Sequence, residues 1–308
     1  RRTHDLLEEY FASLPVKELV EQMEAGVRKS DLQRFERTRL ADLTALGEEE
    51  YPFLVDPMPN LYFTRDPFAV VGGGVTIHRM HTKTRNRETL FGKYIFEHHP
   101  RYKQVPKWYD RAETASLEGG DILVLSPEVL AVGISERTEE DSIDKFAQTV
   151  LENSPTFKKV LAINIPKTRA LMHLDTVFTM VDVGVFTVHP AILRDLDVYV
   201  LELGKGGALH IREEQGRLSD ILQRHLQLDK VELIPCGGGN PIDAAREQWS
   251  DASNTLAIAP GEVVVYSRNY VTNRLLEEHG ITVHCIPSSE LSRGRGGPRC
   301  MSMPFVRD

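Results

Sequence analysis

The chain has 308 residues, enough for one large domain or for a domain with a smaller attachment. Its 41% hydrophobic and 27% charged residues fit an ordinary soluble globular protein, and a net charge of −8 argues against a general nucleic-acid binder. Apolar runs stop short of a bilayer span, Arg1-Arg2-Thr3-His4 leads into no signal-like segment, and Cys236, Cys285 and Cys300 make an odd count without metal-ligand spacing, which argues against zinc and a disulfide scaffold and for a reducing cytoplasm.

In chain order, His4 to Met23 and Ser30 to Leu46 carry helical periodicity, through Leu6, Leu7, Phe11 and Leu14 and then Leu32, Phe35, Leu40 and Leu43. Ser30 before Asp31 serves as an N-cap. Residues 1–50 are therefore expected to form a helical hairpin or part of a small bundle. After Tyr51-Pro52 the texture becomes short β-rich runs separated by Gly, Pro and Asp.

Those runs repeat. Each repeat opens at an acid, makes a hairpin and leads into a polar helical stretch and another strand. The first opens at Asp66, covers Phe68-Ala69-Val70-Val71, turns at Gly72-Gly73-Gly74 and returns through Val75-Thr76-Ile77. The second opens at Asp121, with Ile122 to Leu125 and Val129 to Val132 around Ser126-Pro127-Glu128. The third opens at Asp175, with Val177 to Met180 and Val185 to Val188. The fourth opens near Asp251, with Leu256 to Ile258, a turn at Pro260-Gly261 and Val263 to Tyr266. Openings at 66, 121 and 175 lie 55 and 54 residues apart, a spacing that suggests an array of supersecondary units whose acids converge on one centre. The tail around Cys300 reads as half of a further repeat, whose missing half is expected upstream of Arg1.

Two openings carry more chemistry. Glu118-Gly119-Gly120-Asp121 brackets a Gly-Gly pair with two carboxylates. His173 and Asp175 are expected on one face of an extended segment. In the tail, glycines and a proline surround Arg293, Arg295 and Arg299, a loop whose positive charge favours a nucleophilic thiolate at Cys300. Carboxylates facing one centre attract a cation, either a metal or an organic one; a planar guanidinium fits better, because it pairs with carboxylates bidentately.

Asn60-Leu61-Tyr62-Phe63-Thr64-Arg65-Asp66-Pro67, Glu118-Gly119-Gly120-Asp121, Met172-His173-Leu174-Asp175-Thr176-Val177-Phe178 and Arg293-Gly294-Arg295-Gly296-Gly297-Pro298-Arg299-Cys300-Met301-Ser302 resemble the motifs of bacterial arginine deiminases. Gln248-Trp249-Ser250-Asp251 and Tyr266-Ser267-Arg268-Asn269 extend the resemblance over essentially the whole chain. It implies an α/β fold, the five-fold pseudosymmetric α/β-propeller of guanidine-modifying enzymes, with residues 1–50 in a helical insertion and 51–308 in the catalytic propeller. It implies hydrolysis of L-arginine to L-citrulline and ammonia through a cysteine thiouronium, without metal or organic cofactor. Carried over by position, Cys300 is the nucleophile and His173 the general acid/base. Asp66 and Asp175 hold the guanidinium, and Glu118 supports His173. Arg85 and Arg137 take the substrate carboxylate, Asn60 and Phe63 shape the pocket, and Arg295 belongs to a covering loop. The expected partner is the small-molecule substrate, with assembly into a homo-oligomer (dimer or tetramer) and no nucleic acid or membrane. The family's N-terminal segment is expected to be missing from the propeller here, and Ala252 stands where glycine is expected after Asp251. Alternatives are hydrolases of agmatine or methylarginine, an amidinotransferase, or a non-catalytic arginine-binding module.

Overall fold

A computed structural model describes residues 2–34, 51–193 and 196–306. The chain divides into two compact units, Arg1–Tyr62 and Phe63–Asp308.

In the N-terminal unit the first helical stretch is broken in two, α1 (Arg2–Ser13) and α2 (Val16–Ala25). Pro15 causes the break, because a proline pushes the preceding residue out of the helical region and sets the start of the next helix. Leu6, Leu7, Tyr10 and Phe11 pack on buried Val27 and Leu32. Two short strands, β1 (Val27–Arg28) and β2 (Phe53–Val55), pair antiparallel and close this small core. Residues 31–34 make a 3₁₀ turn; the rest of the second expected helix, from residue 35, lies outside the described residues.

The C-terminal unit is built from four modules of one plan: a hairpin, a helix and a third strand parallel to the second hairpin strand. The first has β3 (Phe68–Val71), β4 (Gly74–Ile77), α3 (Thr89–His98) and β5 (Lys107–Tyr109). The second has β6 (Ile122–Val124), β7 (Val129–Ile134), α4 (Glu140–Asn153) and β8 (Lys159–Asn164). The third has β9 (Phe178–Asp182) and β10 (Val185–Val188), then an inserted hairpin, β11 (Val198–Leu203) and β12 (Leu209–Glu214), before α5 (Leu218–Leu226) and β13 (Glu232–Pro235). After α6 (Pro241–Gln248), the fourth has β14 (Leu256–Ala259), β15 (Glu262–Tyr266), α7 (Tyr270–Glu278) and β16 (Thr282–Ile286). All four expected hairpins are present.

The pattern has a physical basis. The returning strand is central in each basic sheet and is mostly apolar, as β7 shows with six buried residues in a row. The helix between parallel strands covers the sheet: Ile143, Phe146, Ala147, Val150 and Leu151 of α4 are buried against Leu130, Val132, Val160 and Ala162. The inserted β11 pairs with β8, so the second module's sheet grows to five strands in the order β12-β11-β8-β7-β6.

Candidate active site

The acid-bearing turns all precede the first strand of a module, and hydrogen bonds tie each turn to the next. Gly119 N–H donates to the Asp66 carbonyl at 3.2 Å, joining the first two modules. Leu174 N–H donates to Asp121 Oδ1 at 2.7 Å, joining the second and third. Asn254 Nδ2 donates to the Asp175 carbonyl at 3.3 Å, joining the third and fourth. Cys300 N–H donates to Asn254 Oδ1 at 3.1 Å, and Arg65 N–H donates to the Cys300 carbonyl at 3.1 Å, so the series returns to its start. Asp66, Glu118, Asp121, His173, Asp175, Asp251 and Cys300 are all buried.

His173 and Glu118 form the central pair. Nε2 of His173 lies 2.8 Å from Glu118 Oε2, and Glu118 Oε1 accepts the His81 N–H at 2.9 Å. Burial opposes charge on the His173 ring, but Asp66, Glu118 and Asp121 outweigh it and push the imidazole up to about 10. It is a cation at neutral pH. Burial likewise opposes charge on Glu118 and Asp66, yet His173, and Arg85 in addition, hold both carboxyls below their usual range.

The route to this pairing differs from strand alternation. His173 is extended, but Leu174–Thr176 is a 3₁₀ turn, so His173 and Asp175 are not on one face of a strand. The turn is held by Asp121, whose Oδ1 takes the Leu174 N–H and whose Oδ2 accepts from Ser135 and Thr138 at 2.7 Å each. Gln248 buttresses it from behind, with Nε2 donating to the carbonyls of Ala170 and Thr176. The Gly-Gly pair is required by close approach: a Cβ at Gly120 would stand 2.7 Å from the His173 ring, and one at Gly119 2.0 Å from the Arg65 carbonyl.

Asp66 and Asp175 each have one oxygen engaged and one open. Arg85 Nη1 donates to Asp66 Oδ2 at 2.8 Å, while its Nε and Nη2 bind buried Glu88. Arg299 Nη1 donates to Asp175 Oδ2, and its Nη2 reaches the Ile122 carbonyl. Asp66 Oδ1 and Asp175 Oδ1 are buried without a hydrogen-bond partner. Two buried carboxylate oxygens of this kind are costly unless a donor arrives. One atom each of Asp66, Glu118 and His173 also lies within 4.8 Å of the others, so the His173 cation sits against both carboxylates.

The thiol is not activated by the loop cations. Burial, then Asp175, Asp66 and Asp251, push Cys300 well above the ordinary cysteine value. Arg299 is spent on Asp175, exposed Arg293 pairs with Glu290, and Arg295 stacks on Trp249 with its guanidinium 4.0 Å from the ring centre. Arg295 adopts a left-handed φ of 61°.

Phe63 is buried and packs where a Cβ at Gly296 would come within 2.4 Å of its ring. Arg137 is half-buried, with a buried Nε that has no partner and Nη2 3.5 Å from Met172 Sδ. Asn60 belongs to the N-terminal unit and is half-buried. Arg65, Glu88, Thr138 and Asn254 were missed by sequence reasoning. Only the place of Arg65 beside Asp66, and of Asn254 three residues after Asp251, hinted at them.

The arginine deiminase family model matches residues 2–307. The chain belongs to the arginine deiminase family. It is 58% identical over 313 residues to the arginine deiminase of Clostridium perfringens, covering 100% of this chain and 75% of that protein. It is 53% identical to that of Borrelia duttonii, covering 98% and 73%. Solved structures of similar fold include AgrE with L-arginine, at a TM-score of 0.57 and 21% identity over 82% of this chain. The chain spans only 32% of AgrE. A dimethylarginine dimethylaminohydrolase adduct matches at a TM-score of 0.53 and 16% identity, covering 82% of each chain.

Proposed function

We propose that this chain hydrolyses L-arginine to L-citrulline and ammonia through a thiouronium on Cys300. The observation that carries the reading is the pair of buried, open carboxylate oxygens on Asp66 and Asp175, set around Cys300 and the His173–Glu118 pair. A guanidinium supplies the donors those oxygens lack, and family membership supplies the substrate. On this reading Arg85 and Arg299 occupy the other oxygens and fix both carboxylates in place.

The chemistry follows from the charges. Substrate bound between Asp66 and Asp175 offsets two of the carboxylates that hold the thiol protonated, so Cys300 ionises and its proton leaves for solvent. The thiolate adds to the guanidinium carbon. Cationic His173 protonates one terminal nitrogen, which departs as ammonia and leaves the thiouronium. Neutral His173 then takes a proton from water as it attacks the same carbon, and collapse expels the thiolate and releases citrulline. Arg137, with its unpartnered Nε, takes the substrate carboxylate. Arg85 is assigned there too, although its observed bonds go to Asp66 and Glu88. Phe63 shapes the pocket, and Arg295 moves with its loop to cover it.

The same proposal includes a five-fold α/β-propeller with the tail as the fifth turn, supported by the series of hydrogen-bonded turns, and a helical insertion at residues 1–50. It also includes a homo-oligomer, supported by exposed Ile242, Trp249 and Tyr270. Cytoplasmic placement is supported by three free cysteines, Cys236, Cys285 and Cys300. The deciding experiment is incubation with arginine and a colour assay for citrulline, with agmatine in parallel. Citrulline from the parent and none from Cys300→Ser is expected; agmatine consumed as well as arginine would overturn the substrate assignment.

A further inference from the structure

Two side chains without an assigned role hold the Cys300 turn from opposite sides. Asn254 is completely buried in the turn that opens the fourth module. Its Oδ1 accepts the Cys300 N–H at 3.1 Å, and its Nδ2 donates to the Asp175 carbonyl at 3.3 Å. The fit is close: a Cβ at Gly297 would lie 2.6 Å from Asn254 Oδ1. Arg65 is 3% exposed and grips the other side. Its N–H donates to the Cys300 carbonyl at 3.1 Å, its Nε to the Arg299 carbonyl at 3.2 Å and its Nη2 to Ser302 Oγ at 3.0 Å.

Both backbone polar groups of Cys300 are therefore engaged, one by a residue bonded to Asp175 and the other by the chain neighbour of Asp66. We propose that Arg65 and Asn254 are positioning residues that fix the Cys300 sulfur opposite the carbon of a guanidinium held by Asp66 and Asp175. The proposal rests on the reading of Cys300 as the nucleophile. Its physical basis is short. With the backbone pinned on both sides, the sulfur has only the staggered settings of one torsion left. Attack needs near-contact alignment, and a misplacement of about 1 Å costs on the order of 100-fold in rate. Arg65 suits the task because its planar fork sets two donors at fixed angles, which a lysine cannot reproduce.

The test uses Asn254→Ala and Arg65→Lys in the full chain. For each, kcat and KM for arginine are measured per active site, counted by mass-spectrometric titration of Cys300. Cys300 inactivation is also timed with chloroacetamidine, a planar cation that docks like a guanidinium, and with neutral iodoacetamide. The expected result is a fall in kcat per titrated site of about 10-fold or more, with KM within about 3-fold of the parent. The ratio of chloroacetamidine to iodoacetamide rates should fall by about 10-fold as well, because only the cation is held in one orientation. A merely structural role would reduce the number of titratable sites while leaving kcat per site and the reagent ratio at parent values; that outcome overturns the proposal. Should the parent make no citrulline, the arginine reading fails, but the reagent ratio still decides the positioning role without any turnover. Should Asn254→Ala fail to fold, Arg65→Lys decides, and an unchanged ratio there overturns the proposal.

Discussion

At the scale of single residues, the site separates groups that chemistry announces from groups that only geometry reveals. Cys300 stood out for its cationic, glycine-rich loop, and His173 and Glu118 for openings in phase with Asp66. The role of Arg299 did not, since a cation next to a cysteine in sequence looks like a thiolate stabiliser. In the fold it serves Asp175, and the thiol is left among carboxylates. Iodoacetamide alkylation of Cys300 in the free protein should therefore climb steadily from pH 7 to 9. A plateau by pH 7 would mean that the thiolate is already formed without substrate. The two candidate carboxylate-binding arginines should also behave differently. Arg137→Ala removes a guanidinium whose Nε has no partner and whose Nη2 meets only a thioether, so KM for arginine should rise by about 10- to 150-fold, matching roughly 1.5–3 kcal/mol for a charge-assisted contact, with little change in melting temperature. Arg85→Ala leaves Asp66 and Glu88 buried without their cation and should cost about 3–5 kcal/mol of stability. Thermal melts of the two variants make the comparison, and equal melting temperatures would contradict it.

At the scale of elements, local pattern and long-range packing divide the legible from the hidden. The hairpins were readable because each lies within a few residues of its own turn, with apolar runs punctuated by Gly, Pro or Asp. The break at Pro15 was readable in principle, but the apolar spacing on either side continues in phase and masks it. The 3₁₀ turn at Leu174–Thr176 was not readable, since it depends on a carboxylate 53 residues earlier in the chain. The same turn yields a prediction. Gly120→Ala places a methyl group against the His173 ring and should displace it from Glu118. Loss of a positioned acid–base group predicts a fall in kcat of about 100-fold or more. Arginine should still bind to Gly120→Ala, as calorimetry can check, because Asp66 and Asp175 are not displaced.

At the scale of the whole molecule, the buried charges make stability depend on pH. His173 keeps its proton in the folded state up to about 10, whereas the unfolded ring releases it near 6.5. For this group the native state then holds one more proton than the unfolded state, so the His173 contribution to stability is fully present below that lower value and is lost as pH rises. From pH 7 to 8 the decline should approach about 1.4 kcal/mol per pH unit, and His173→Asn should flatten it in thermal melts across that range. The inserted hairpin β11–β12 has a different consequence. It departs from the third module yet completes the sheet of the second, so β8 is no longer an edge. The four copies of the plan are thus not interchangeable beads: a hairpin from the third lies in the sheet of the second, and it cannot peel away without breaking the backbone ladder of β8. Amide exchange should show β8 and β11 releasing their protons together, as a single block drawn from two repeats, while the first and fourth keep their own schedules.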